Sequence, residues 1–193
     1  MLIDLTNIYF SGHFNSYNYL AATGLAIAIS NILGVASMYG LASALDTLGS
    51  LSFGGMKFQK TGRYFNQARI IVFLACILVV MPLYMIMGII LKAVGVEEEL
   101  ADLTGIYLRI LFPGILLHIQ AILVRKFFRI QRIGWVHFAV IGFTLPFHMA
   151  GLYILIKILN FGYLIIPAWT IATHSICFIG MNFYLYCCDI VHI

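Results

Sequence analysis

Charged residues are scarce in this sequence, and acidic ones most of all. Only 9% of the 193 residues are charged and seven are Asp or Glu, whereas soluble globular domains carry about 25% charged residues. Hydrophobic residues make up 63% of the chain, and the mean hydropathy is +1.02. Such a composition excludes a soluble globular domain. We therefore predict an integral, multi-pass membrane protein.

The motifs of enzymes and of cofactor or metal sites are also missing. The sequence contains no nucleophile triad, no phosphate-binding loop and no cofactor-binding motif. Its four cysteines follow no metal-ligand or redox spacing, and we interpret them as small apolar packing residues. We predict a protein that is not an enzyme and that holds neither a cofactor nor a metal ion.

The N-terminus carries no recognisable targeting signal. Residues 1–4 include an acid and no Lys or Arg, which fits neither a secretory signal nor an Arg-rich transit peptide. Three membranes therefore stay open: the plasma membrane, the vacuolar membrane and the mitochondrial inner membrane. The net charge of +4 is spread over connectors between apolar runs, so membrane topology explains it and no nucleic-acid partner is predicted.

Long apolar runs are what the sequence does contain. Runs at about residues 17–44, 70–91, 104–124, 136–159 and 161–187 are each long enough to cross a hydrocarbon core of about 30 Å. The first ten residues are apolar but too short for this, and we interpret them as the end of a helix. The predicted fold is an all-α polytopic bundle with five full transmembrane helices plus a partial first helix. It forms a single transmembrane domain over residues 1–193.

The connectors between these runs alternate in charge. The second and fourth are basic and the third is acidic, so the positive-inside rule places the basic connectors and the C-terminus on the cytoplasmic side. Apolar residues between positions 48 and 58 predict that the second connector lies in the membrane interface. The basic side chains either set topology alone or also hold an anionic lipid such as cardiolipin or a phosphoinositide. These candidates are Lys57, Lys60, Arg63, Arg125, Lys126, Arg129 and Arg132.

Two stripes of small residues repeat at four-residue intervals in the first long run. They are Ala22, Ala26, Ser30 and Gly34, and then Ala36, Gly40 and Ala44. Each stripe falls on one face of a helix, and small residues let another helix approach closely in lipid. We predict a packing face at both. One proline in each of the last four runs predicts bent helices.

Few polar side chains lie inside the runs, and each is a candidate site. Asp46 is predicted to gate the cytoplasmic side, to cap the connector or to pair with a nearby Lys or Arg. His118, His148 and His174 lie on three successive runs, where they form a proton relay or make separate packing contacts. Arg109 is predicted to reach outward to the headgroups, to pair with an acid such as Asp102, or to bind an anionic group.

Several segments resemble one transporter family. Residues 10–14 read Phe-Ser-Gly-His-Phe, 20–25 read Leu-Ala-Ala-Thr-Gly-Leu, and 40–48 read Gly-Leu-Ala-Ser-Ala-Leu-Asp-Thr-Leu. Residues 107–114 read Tyr-Leu-Arg-Ile-Leu-Phe-Pro-Gly, and 160–164 read Asn-Phe-Gly-Tyr-Leu. In this order and spacing they resemble the first half of a eukaryotic-type multidrug and toxic compound extrusion (MATE) transporter, from about residue 9 to residue 186. The resemblance implies one six-helix lobe of a twelve-helix antiporter that exports organic, often cationic, compounds in exchange for protons or sodium ions.

Polar positions depart from the family pattern. Residues 49–52 read Gly-Ser-Leu-Ser where members continue Cys-Gly-Gln-Ala, and apolar residues near Gly151 replace an asparagine expected after His148. In eukaryotic-type members the acidic residue that couples transport to protons lies in the second lobe. Two hypotheses follow. One is a truncated antiporter lobe that transports only with a second lobe or has lost transport, and the alternative is a transporter-derived accessory or structural subunit of a larger membrane complex. The predicted partners are membrane lipids and either other transmembrane subunits or a second lobe.

Overall fold

The structure is a computed structural model that describes residues 2–14 and 16–187. Its helical segments are α1 (Leu2–Ser11), α2 (Tyr17–Gly54), α3 (Phe58–Ala93), α4 (Glu98–Ile130), α5 (Trp135–Ile158) and α6 (Ile165–Cys187). The described residues contain no strand, so the predicted all-α bundle is confirmed. The predicted count of five full transmembrane helices is not confirmed, because among the described residues four helices, α2 to α5, are long and apolar enough to cross a membrane.

Helices α2 and α3 are longer than predicted. Helix α2 continues through Asp46 to Gly54, and α3 begins at Phe58, so the predicted interfacial connector is helical over nearly its whole length. The two helix ends are joined by side chains, since the Thr61 hydroxyl donates to Ser52 Oγ at 3.1 Å. At about 1.5 Å per residue, the 38 residues of α2 span about 57 Å, more than a bilayer of about 40–45 Å with its headgroups. The connector itself is therefore a short turn at residues 55–57, and the position of its flanking apolar residues in the membrane interface stays a prediction.

Three short stretches within the long helices wind as π-helix. They are Ser30–Ala36 in α2, Cys76–Val80 in α3 and Ile154–Ile158 in α5. The first two are in contact, and the Tyr84 hydroxyl of α3 donates to the Ser30 carbonyl at 3.4 Å. A π-turn widens the helix locally and often marks a functional position.

The first small-residue stripe of α2 is a packing face, as predicted. All four of its residues are buried. At Gly34, an added Cβ would lie 2.5 Å from Tyr84 Oη and 3.3 Å from Ile115 Cγ2 of α4. The small residues therefore let α3 and α4 approach α2 closely.

The second stripe of α2 is different. Ala36, Gly40 and Ala44 are all exposed, and an added Cβ at Gly40 would meet nothing within 4 Å. Among the described residues of this chain, nothing packs on this stripe, so the prediction of a second packing face is wrong for them.

Helix α4 is the centre of the bundle. It contacts α2, α3 and α6. In its apolar 18-residue stretch 56% is buried, against 28–33% in the corresponding stretches of the other three membrane-length helices. Glycines set the distance between α4 and its neighbours. An added Cβ at Gly105 would lie 3.1 Å from Gly88 Cα of α3. At Gly114, the added Cβ would lie 3.2 Å from Ile171 Cα of α6. Neighbouring helices therefore pack on α4 at backbone contact distance.

The charged connectors lie at opposite ends of the bundle. The turns at residues 55–57 and 131–134 form one end, because an added Cβ at Gly49 of α2 would touch Ile130 of α4. We call this the basic end. The turns at residues 94–97 and 159–164 form the acidic end, where Lys92 Nζ lies 2.8 Å from Asp102 and 3.1 Å from Glu98. The cytoplasmic orientation of the basic end stays a prediction.

Candidate functional site

Four polar side chains meet inside the bundle between α1, α5 and α6. His148 Nε2 lies 3.1 Å from Asn7 Oδ1, and His148 Nδ1 lies 2.7 Å from Thr173 Oγ1. Asn7 Nδ2 donates to Thr170 Oγ1 at 3.1 Å, and all four side chains are buried. Because the Asn7 oxygen only accepts, His148 Nε2 carries its hydrogen and Nδ1 accepts from the Thr173 hydroxyl, which shares its one hydrogen with the Trp169 carbonyl at 3.0 Å. We call these residues the Asn7–His148 network; it ties α1 to α5 and α6.

The network yields a stability prediction. Replacing Thr173 with valine keeps the shape but leaves His148 Nδ1 without a donor, so the free energy of unfolding should fall by about 1–2 kcal/mol. The control is Ser175→Ala, because the Ser175 hydroxyl donates only within its own helix, to the Ile171 carbonyl at 2.8 Å. Thermal unfolding in detergent micelles measures both variants. Equal losses in the two would show that the His148 bond contributes nothing.

Two of the three candidate histidines are in contact. His118 of α4 and His174 of α6 have ring centroids 4.5 Å apart, whereas His148 lies in the Asn7–His148 network. Asn7, His118 and His174 line one cavity, which is the connection between the pair and the third histidine. The predicted proton relay over all three stays a prediction.

That cavity is lined by polar side chains of α1, α2, α4 and α6, and it reaches the surface at Asn31, which is exposed. It has a volume of about 130 Å³, which is room for several water molecules. Its polar lining residues are Asp4, Asn7, Ser30, Asn31, His118, Thr170 and His174. Ser30 and Asn31 come from the π-helical stretch of α2, and Asp4 supplies a carboxylate. We call it the polar cavity; an ionisable group at such a position usually marks a functional site.

A larger cavity adjoins the polar cavity toward the basic end. Its volume is about 240 Å³, and it lies between the start of α1 and helices α4, α5 and α6. His118 and His174 line both cavities. Arg125, His137 and Thr144 add polar groups to otherwise apolar walls. We call it the Arg125 cavity.

Asp46 pairs with Lys126 across α2 and α4. The Lys126 side chain is 1% exposed and that of Asp46 is 38% exposed. The ammonium nitrogen also lies 4.2 Å from the centre of the Tyr39 ring. Of the three interpretations of Asp46, the structure shows the pairing with a basic residue. The lipid-binding interpretation of Lys126 is corrected, because its ammonium group points into the bundle and is held by a carboxylate.

The other basic candidates lie near the surface. Arg109 donates from Nη2 and Nε to the Met85 carbonyl, at 2.9 and 3.2 Å. It does not pair with Asp102, which is bound by Lys92. The exposed members of the basic clusters are Lys57, Lys60, Arg63, Arg129 and Arg132. Their contact with anionic lipid stays a prediction.

Sequence reasoning missed two central residues of the site, Asp4 and Asn7. They lie three residues apart on one face of α1, and this spacing was a usable signal. The first run, however, was interpreted only as the end of a helix that is too short to cross a membrane. It also missed Arg69, which exchanges hydrogen bonds with Gln120 of α4 at 3.2 and 3.3 Å. Among the described residues, no three His, Cys, Asp or Glu side chains are grouped to hold a metal ion.

The chain is similar in sequence to proteins named for extrusion and detoxification. The chain is 31% identical over 163 residues to multidrug and toxin extrusion protein 2 of Pongo abelii, covering 83% of this chain and 27% of the relative. It is 27% identical over 184 residues to the protein DETOXIFICATION 37 of Arabidopsis thaliana, covering 92% of this chain and 36% of the relative. The chain thus spans about a third or less of the length of these relatives.

The fold has a close counterpart among solved structures. The crystal structure of the eukaryotic MATE transporter AtDTX14 superposes with a TM-score of 0.91 at 21% identity, covering 98% of this chain and 42% of that one. This likeness establishes the fold. A family model described as MatE matches residues 1–154. With four fifths of its length matched by that model, this multi-pass membrane chain belongs to the MatE family.

Proposed function

We propose that this chain acts as one lobe of a multidrug or organic-cation antiporter and works against a second lobe. The observation that carries the proposal is the match of the MatE family model to residues 1–154. Relatives named for multidrug and toxin extrusion support it. The second lobe is either another copy of this chain or a different transmembrane subunit.

The polar cavity gives the lobe a place to exchange a counter-ion. A carboxylate inside a lipid-immersed bundle is costly unless it faces water or a partner, and such groups typically mark ion pathways. Asp4 is the acidic residue lining the cavity, and the His118–His174 pair separates it from the Arg125 cavity. We assign Asp4 to binding the incoming proton or sodium ion. His148 holds Asn7 in place at the cavity wall.

Reconstitution tests this proposal. The chain is purified together with any partner that remains bound, inserted into liposomes loaded with a fluorescent organic cation, and given an inward proton or sodium gradient. We expect gradient-driven efflux, and Asp4→Asn should slow its initial rate about tenfold or more, equivalent to about 1.4 kcal/mol. The control Asp102→Asn alters an exposed acid of the acidic end and should change the rate less than about twofold.

The alternative function is that of a transporter-derived accessory subunit in a larger membrane complex. It predicts no gradient-driven flux from any assembly that contains the chain. It also predicts that mild detergent extracts the chain within a large particle. Flux that Asp4→Asn abolishes would contradict the accessory role, and absence of flux for the chain alone and with its partner would contradict the antiporter.

A further inference from the structure

Arg109 is an exposed arginine on the outer face of the bundle, where α3 and α4 meet. Its Nη2 and Nε atoms donate to the Met85 carbonyl of α3 at 2.9 and 3.2 Å. A guanidinium group carries five N–H donors, and the other three have no acceptor among the residues that the structure describes. The Met85 bonds therefore hold the group in place while donors stay available at the surface.

The position of Arg109 on α4 places it toward α3. Gly105, about one turn earlier, contacts Gly88 of α3, whereas Gly114 contacts α6. Five residues separate Arg109 from Gly114, which is a rotation of about 140° around the helix. Both ends of the chain continue from elements on other sides of the bundle, because α1 packs on α2, α5 and α6 and α6 ends against the start of α5 at the basic end.

The depth of Arg109 in the membrane follows from the exposed charges of α4. Asp102 and Arg129 are both exposed, and the helix between them is about 40 Å long, close to the thickness of a bilayer with its headgroups. A hydrocarbon core of about 30 Å centred between them leaves about 5 Å at each end. Arg109 lies two turns, about 10 Å, from Asp102 and is thus about 5 Å inside the core. A charge there is costly unless it is paired.

An apolar strip leads from Arg109 toward the middle of the membrane. Leu78, Met81 and Met85 are spaced three and four residues apart on one face of α3, and all three are exposed. From Met85 to Leu78 the strip is about 10 Å long and runs along the membrane normal, as an acyl chain does. We call it the α3 strip.

Acidic side chains lie on the other side of Arg109. Asp102 is two turns earlier on the same face of α4, and Glu97, Glu98 and Glu99 shortly precede it. Lys92 supplies one positive charge against these four negative charges. An anionic headgroup would be repelled by this end of the bundle, whereas a headgroup with a cation beside its phosphate is complementary to both charges.

We propose that Arg109 binds the phosphate of a zwitterionic phospholipid such as phosphatidylethanolamine. The phosphate oxygens accept hydrogen bonds from Nη1 and from the second hydrogen of Nη2, a pairing that suits the planar guanidinium group. The ammonium group of the lipid faces the carboxylates of the acidic end, and one acyl chain lies along the α3 strip. The inference does not depend on transport, because it concerns lipid binding by the chain itself.

Native mass spectrometry tests this site. The chain is purified in detergent and titrated with dioleoylphosphatidylethanolamine. We expect Arg109→Met to raise the dissociation constant of the tightest-bound lipid about fivefold or more, equivalent to about 1 kcal/mol. The matched control Lys157→Met removes an exposed cation at the same end of the bundle, from α5, and should change the constant less than about twofold. Dioleoylglycerol, which has the same acyl chains and no phosphate, should bind equally to both Arg109 forms.

Photo-cross-linking of the unaltered chain localises the lipid and decides the matter should Arg109→Met fail to fold. Phosphatidylethanolamine and diacylglycerol probes, each with a diazirine midway along one acyl chain, are compared by peptide mapping. The phospholipid probe should label the segment with Leu78 and Met81 more strongly than the diacylglycerol probe does. Equal labelling there, or unchanged phosphatidylethanolamine binding by folded Arg109→Met, would overturn the proposal.

Two further outcomes would replace the proposed occupant. If Arg109→Met weakens phosphatidylglycerol binding more than phosphatidylethanolamine binding, the site takes an anionic lipid and the proposal is overturned. If a co-purified protein cross-links to the α3 strip and excludes both probes, a partner helix occupies this face, and the proposal is overturned as well.

Discussion

Replacing Asp46 with asparagine should lower the free energy of unfolding by about 3 kcal/mol, among the largest effects available in this chain. The variant removes the carboxylate and leaves the Lys126 ammonium group inside the bundle. The Lys126 side chain is only 1% exposed, so water cannot replace the lost partner. The amide oxygen of the new asparagine still accepts a hydrogen bond but carries no charge, and the Tyr39 ring at 4.2 Å adds a cation–π contact of about 0.5–2 kcal/mol.

The reverse variant should cost less, and this asymmetry is the test. Lys126→Met leaves Asp46, whose side chain is 38% exposed and can regain water, so the expected loss is about 1 kcal/mol. Combining Asp46→Asn with Lys126→Met removes both charges and should be milder than Asp46→Asn alone. Unfolding midpoints in detergent, measured as a double-mutant cycle, give the comparison. Equal losses for Asp46→Asn and Lys126→Met would contradict the burial of Lys126.

The second large effect is expected at Gly105. Leucine there would place a side chain against the Gly88 backbone of α3, because even an added Cβ would lie 3.1 Å from Gly88 Cα and 3.2 Å from Gly88 N. A backbone cannot move aside as a flexible side chain can. The helices must separate, and we expect a loss of about 3 kcal/mol.

Gly40 provides a matched control for this substitution. It lies in the middle of α2, and an added Cβ there would meet nothing within 4 Å. Gly40→Leu should therefore leave stability unchanged or raise it by up to about 1 kcal/mol, because leucine is the better helix former. The two variants are compared by thermal unfolding and by the fraction that elutes as folded protein on size exclusion. A similar loss at both positions would show that close packing of α3 on α4 is not what Gly105 provides.

Local spacing predicted part of the fold well. The four-residue repeat from Ala22 to Gly34 placed small residues on one face, and that face is buried, because helical periodicity depends only on neighbouring residues. The same repeat at Ala36, Gly40 and Ala44 predicted a contact that the described chain does not make. Periodicity states which residues share a face and cannot state what lies opposite.

Charge led to the main errors. The basic stretch from residue 57 onward was interpreted as a connector between two helices, yet it forms the first turns of α3. Charged side chains are compatible with a helix that extends beyond the hydrocarbon core, so charge alone cannot locate a helix end. Lys126 was grouped with its exposed neighbours because its partner Asp46 is 80 residues away in sequence. The Asp4–Asn7 side of the polar cavity was likewise hidden in a run too short to be interpreted as a span.

Because α2 is long, a small bend within it produces a large movement at its tip. Between the π-helical stretch Ser30–Ala36 and the tip of α2 lie 18 residues, about 27 Å of helix, so a bend of about 10° at that stretch would swing the tip by about 5 Å. Because the Asp46–Lys126 bond joins this part of α2 to α4, the swing would carry the end of α4 with it. A small change of angle beside the polar cavity would thus displace the basic turns at the ends of α2 and α4 together.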